Sequence, residues 1–150
     1  IELSLPPTLT IPTVASRFAG SVGSRPADTN VRAARIALGP GKLIGVSCYN
    51  DVALARSAVS SGADYVAFGS FFPSATKPLA VRADTKTLRQ ASSELDVPIV
   101  AIGGIDERNA RTLIAAGASA IAVISALFEA PDIEAQAQRF SRLFNASHPI

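Results

Sequence analysis

The stretch Gly69-Ser70-Phe71-Phe72-Pro73-Ser74-Ala75-Thr76-Lys77 sets two hydroxyls, Ser74 and Thr76, directly before the ammonium of Lys77. Hydroxyl donors beside a lysine suit an anion such as phosphate, which takes hydrogen bonds from the former and charge from the latter. The loop follows Asp64-Tyr65-Val66-Ala67-Phe68, an apolar run that suits a strand covered on both faces. Ligands in parallel α/β proteins sit beyond the carboxyl ends of the strands, so an active site is expected at this loop. A polar surface loop with a solvated lysine is the alternative. Arg82, further on, either approaches the same anion or is a solvated loop arginine.

Other groups able to do chemistry are few. Cys48 is the single cysteine, which leaves no disulfide framework and fits a reducing compartment. It lies at an expected strand end with no histidine nearby, and so reads as a small apolar neighbour rather than a nucleophile. The single histidine, His148, is two residues from the carboxyl end, which argues against a histidine triad or a multi-histidine metal site. Gly103-Gly104 after an apolar run makes either a tight turn or a set of exposed amides that can hold phosphate.

The elements that must position these groups alternate in type. Strands are expected at Leu43–Ser47, Tyr65–Phe68 with Gly69 ending it, Pro98–Ile102 and Ala120–Ile124. Asn50 or Asp51, Asp84 and Asp106 stand where helix caps belong, and Gly62 and Gly117 where helices stop. A final helix carries Ile133, Ala137, Phe140, Leu143 and Phe144 at helical spacing after Pro131. One more helix is expected over Asp28–Leu38, capped by Asp28 or Asn30. Strands alternating with helices imply an α/β fold with a parallel sheet. Residues 1–27 hold Pro6, Pro7, Pro12 and Pro26 with no clear period and are expected to be irregular, leaving residues 28–150 as one β/α domain.

Composition limits the classes. With 150 residues, 48% hydrophobic and 17% charged, the chain is expected to be one globular domain. The net charge of +2 includes no basic block, which speaks against nucleic-acid binding. No apolar run approaches membrane-spanning length, so no membrane partner and a cytoplasmic location are expected.

From about Asp28 to Phe128 the chain resembles thiamine-phosphate synthase. The resemblance is carried by GVSCYND at Gly45–Asp51, GADYVAFGSFFPSATK at Gly62–Lys77, PIVAIGGI at Pro98–Ile105 and GASAIAVISALF at Gly117–Phe128, in the order and spacing of the last four strands of that family's barrel. The fold implied is a (β/α)8 TIM barrel of which the last four βα units are clearly present. The activity implied is coupling of hydroxymethylpyrimidine diphosphate to a thiazole phosphate, with release of pyrophosphate and Mg²⁺ assisting departure of the diphosphate. By resemblance, Ser47 contacts the pyrimidine side. Ser74, Ala75 and Thr76 occupy a Thr-x-Thr segment that meets the thiazole phosphate. Lys77 holds the diphosphate, and with Ser47 it is the implied catalytic pair. Gly104, Ile124 and Ser125 match phosphate-binding positions, although Ile124 suits the core by residue type.

The amino end departs from the pattern. The family's Gln-x-Arg-x-Lys stretch for the diphosphate and its Asn-Asp pair with a metal ligand have no counterpart here; Asp28 falls near the place of a second metal ligand. A non-catalytic module that keeps the thiazole-phosphate half-site is therefore an alternative. A protein like the sister thiazole tautomerases is another, weakened because Tyr49 stands where many relatives have histidine and a tautomerase needs a proton-transfer group. Another phosphate-barrel enzyme such as an aldolase is disfavoured because Lys42 and Lys77 are not on strands. Half a barrel leaves unpaired sheet edges, so self-association into a homo-oligomer is expected.

Overall fold

The computed structural model describes residues 27–73 and 81–145. Ser74, Ala75, Thr76, Lys77 and His148, and nearly all of the irregular amino segment, lie outside the described residues. The elements run α1 Ala27–Leu38, β1 Gly45–Tyr49, α2 Val52–Ser60, β2 Tyr65–Phe68, α3 Thr85–Glu94, β3 Ile99–Ile102, α4 Glu107–Ala115, β4 Ala120–Ala122, α5 Ser125–Phe128 and α6 Ile133–Asn145. The four strands are parallel and lie in sequence order. The α/β class and the alternation of strand and helix are as expected from the apolar runs.

The helices start where a short acceptor can satisfy free N–H groups. Asp51 accepts from Leu54 N–H at 3.0 Å, and Asp84 accepts from Thr87 N–H at 2.9 Å. The Thr87 N–H holds the Asp84 carboxyl below its ordinary range. Asp106 caps α4, and its carboxyl is likewise lowered, first by the Arg108 side chain and then by the Asn109 and Arg108 amides. At α1 the expectation was off: the helix begins at Ala27, so Asp28 and Asn30 fall inside it rather than capping it.

One sheet face buries the core. Cys48, Val66, Phe68, Ile99, Ala101 and Ile121 share it and pack with Val52, Ala55, Leu88, Ala91 and Leu113 of the helices. The opposite face carries a row made by Ser47, Ala67, Val100 and Ala120, with Ile102 and Ala122 in the next. Ser47 and Ile102 are exposed there.

The amino-terminal ends of β1 and β2 are tied by one ionic hub. Asp64 Oδ2 accepts from Ile44 N–H at 2.6 Å and from Arg35 Nη2 at 2.5 Å. Arg35 also donates to the carbonyls of Lys42 at 2.6 Å and Gly62 at 2.9 Å. The hub holds residues 43–44 as the entry to the strand, and the ladder starts at Gly45 opposite Tyr65. β1 therefore runs two residues further than Leu43–Ser47, and Ser47 lies in mid-strand rather than at its end. β4 is shorter than Ala120–Ile124, because Ile124, at φ −120° and ψ −79°, has left the extended conformation to begin α5.

Candidate functional site

Parallel strands bring every following loop to one end of the sheet. The loop after β2 leaves along β3: Phe71 N–H donates to Ile102 O at 3.2 Å and Phe72 N–H to Gly103 O at 3.0 Å. It returns beside its own start, where Ser70 N–H donates to Val81 O at 2.9 Å and Ala83 N–H to Ser70 O at 3.1 Å. Asn50, just past β1, donates from Nδ2 to Arg82 O at 3.2 Å. Both feet of the hydroxyl-lysine loop are thereby fixed at the carboxyl end of the sheet. Arg82 itself is exposed.

The turn after β3 is shaped by this loop. Gly103 has φ +104° and Gly104 φ +63°, conformations in which an L side chain is strained. A Cβ on Gly104 would stand 2.5 Å from Pro73 O and 2.7 Å from Phe72 O, and one on Gly103 would stand 2.2 Å from Ser70 Oγ. The pair is thus glycine for two reasons, backbone angle and closeness to residues 70–73.

Peptide directions follow from these bonds. The Gly103 carbonyl faces the β2 loop, where it accepts from Phe72 N–H. In a trans peptide the following N–H points the other way. Gly104 follows β3, and Ser125 opens α5 just past β4, the next strand of the sheet. Gly104 and Ser125, candidates from the resemblance, therefore lie on adjacent turns at one end of the sheet. Ile124 precedes Ser125 and is 52% exposed, which corrects the reading of it as a core residue by type.

At two polar positions residue-type reasoning missed the backbone conformation of one and the reach of the other. Tyr49, the last residue of β1, has φ +56° and its side chain is 57% exposed. A non-glycine residue held there costs of order 1–3 kcal/mol. It sits after a register shift between Ser47 and Tyr49, and its carbonyl accepts from Gly69 N–H at 2.9 Å. Asn109 is the other: a polar residue three positions after a capping Asp was visible, but its reach back to Gly104 was not.

Cys48 is fully buried on the helix side of β1, and burial, with Asp51 nearby, pushes its thiol from 9.0 up to about 12. That agrees with its reading as an apolar neighbour. Because the folded value is raised, its contribution to stability is present below pH 9.0 and is lost as pH rises toward 12. Native protein is expected to resist iodoacetamide at pH 8 and to react quickly once unfolded in denaturant. Rapid alkylation without denaturant would contradict the burial.

Among the described residues no group of three or more His, Cys, Asp or Glu gathers. Asp51, Asp84 and Asp106, the carboxylates near the carboxyl ends of the strands, each serve as helix caps. Asp28 lies in the first turn of α1. Among the described residues no helix is long and apolar enough to cross a membrane.

Residues 22–127 match the family described as thiamine monophosphate synthase. The thiamine-phosphate synthase of Methylobacillus flagellatus is 61% identical over 118 residues, 79% of this chain and 56% of its own length. That of Thiobacillus denitrificans is 56% identical over 119 residues, with the same shares. Among solved structures, the thiamine phosphate pyrophosphorylase from Pyrococcus furiosus superposes with a TM-score of 0.70 at 32% identity, over 79% of this chain and 56% of that one. The chain spans a little over half the length of these relatives. On the strength of that match and of the four parallel βα units it covers, the chain belongs to the thiamine monophosphate synthase family.

Proposed function

We propose that this chain supplies the carboxyl-terminal four βα units of a (β/α)8 TIM barrel, residues 28–150, that makes thiamine phosphate from hydroxymethylpyrimidine diphosphate and a thiazole phosphate. The observation that carries this reading is the convergence of the Gly69–Lys77 loop feet, the Gly103-Gly104 turn and the Ser125 turn at the carboxyl ends of adjacent parallel strands. Ser74, Ala75 and Thr76 meet the thiazole phosphate, whose phosphate is held by the turn amides at Gly104, Ile124 and Ser125. Ser47 faces the pyrimidine from the sheet face opposite the helices. The bond between the pyrimidine methylene and the diphosphate oxygen breaks, its electron pair leaving with the diphosphate. The Lys77 ammonium stabilises that charge, and the thiazole nitrogen attacks the methylene carbon. Mg²⁺ is the cofactor this chemistry implies, with Asp28 as its candidate ligand in this chain.

The second reading, a non-catalytic module that retains the thiazole-phosphate half-site, draws on the carboxylates near the strand ends being committed to helix caps. Titration calorimetry with the two substrates separately, on wild type, Lys77→Ala and Ser47→Ala, separates the readings. As a synthase half-site, the chain binds both, Lys77→Ala weakens pyrimidine diphosphate tenfold or more, and Ser47→Ala weakens the pyrimidine ligand while sparing the thiazole phosphate. Binding of thiazole phosphate alone supports the module. Binding of neither overturns both.

A further inference from the structure

The side chain of Asn109 makes more bonds than capping a helix needs. Its Oδ1 accepts from Asp106 N–H at 2.9 Å, while the backbone N–H of Asn109 donates to Asp106 Oδ1 at 3.0 Å. Those two bonds complete the capping box of α4. The usual partner at this position is Glu or Gln, and a carboxylate there would serve the cap. Asn109 also uses its donor half: Nδ2 donates to Gly104 O at 3.0 Å. The amide orientation is fixed by its partners, since the reverse would set oxygen against carbonyl and N–H against N–H.

That extra bond anchors the peptide after Gly104, as Phe72 N–H anchors the peptide before it. Gly104, at φ +63°, is thus held from both sides, in a conformation an unrestrained glycine would share with many others. We propose that Asn109 is a positioning residue for anion binding: by holding the Gly104 carbonyl toward α4 it fixes the peptide after Gly104, as Phe72 fixes the one before, so that Gly104 keeps the conformation that turns its N–H away from the β2 loop as a phosphate donor. The inference rests on the reading that phosphate binds at the Gly104 and Ser125 turns.

The test is a titration of the ¹⁵N-labelled 150-residue chain with inorganic phosphate, followed at the Gly104 and Ser125 amides. Asp106→Ala is the control, because it removes the same helix cap and leaves the Gly104 carbonyl its Asn109 partner. Wild type is expected to show saturable shifts at both amides. Asn109→Ala is expected to weaken phosphate at least tenfold. Asn109→Asp keeps the acceptor of the cap and is expected to stay folded. In both Asn109 variants the Gly104 amide resonance moves before any phosphate is added. Asp106→Ala is expected to lower the unfolding midpoint as much as Asn109→Ala while keeping phosphate affinity within twofold. Equal loss of affinity in Asp106→Ala and Asn109→Ala would reduce Asn109 to a helix cap and overturn the proposal. Asn109→Ala binding phosphate like wild type overturns it too, with the phosphate site intact. Absence of saturable shifts in wild type removes the phosphate reading itself, and the proposal with it.

Discussion

Replacing Gly104 by alanine is expected to lower the unfolding free energy by about 2–5 kcal/mol and to abolish the phosphate-induced shift at its amide. Two costs add. An L residue in the left-handed region costs about 1–2 kcal/mol. The new Cβ, at 2.5 Å from Pro73 O and 2.7 Å from Phe72 O, must also push back the loop that Phe72 N–H ties to Gly103. Overpacking of this kind adds about 1–3 kcal/mol. The natural control is Gly41→Ala, where nothing lies within 4 Å, and which is expected to stay within about 0.5 kcal/mol of wild type. Denaturant unfolding of the three proteins decides it. Equal midpoints for Gly104→Ala and Gly41→Ala would mean that the turn after β3 is not packed against residues 70–73. A domain of this kind is stable by only about 5–15 kcal/mol, so the expected loss is a large fraction of the whole.

The second large effect concerns turnover. With pyrimidine diphosphate, thiazole phosphate and Mg²⁺, the 150-residue chain alone is expected to run at least about 10³-fold slower than its Methylobacillus flagellatus relative. Removing one preorganised donor to a developing charge costs about 10²–10³ in rate. Here the Gln-x-Arg-x-Lys stretch and the Asn-Asp pair are both without a counterpart. Adding in trans the part of that relative which the chain does not match is expected to restore turnover. It is also expected to reduce self-association, since among the described residues β1 and β4 each pair on one side only. Product assays with and without the added segment, with light scattering on the same samples, test both. Turnover by the chain alone at the relative's rate would show that the diphosphate is held by groups of this chain.

Elements and site differ in how far they could be read from the residues alone. Asp51, Asp84 and Asp106 mark helix starts because a cap acts over three residues, and such short-range bonds are written directly in the order of the chain. The apolar runs at Tyr65–Phe68 and Ile99–Ile102 mark strands for the same reason. The four motifs in order were enough to point to the family, and the match over residues 22–127 agrees.

Bonds between distant residues were decided only by the fold. The entry to β1 is held by Asp64, at the entry to the neighbouring β2 and 20 residues from Ile44. The need for glycine at 103 and 104 comes from residues 70–73, which the parallel register lays beside them. The left-handed Tyr49 follows from a register shift, which no residue type announces. Composition and spacing determined that this protein is a parallel α/β chain, because that property is a local sum of propensity and capping. Which face Ser47 occupies and what holds the carbonyls of Gly103 and Gly104 were decided by tertiary structure, because strand register and peptide orientation are set by partners far away in the chain.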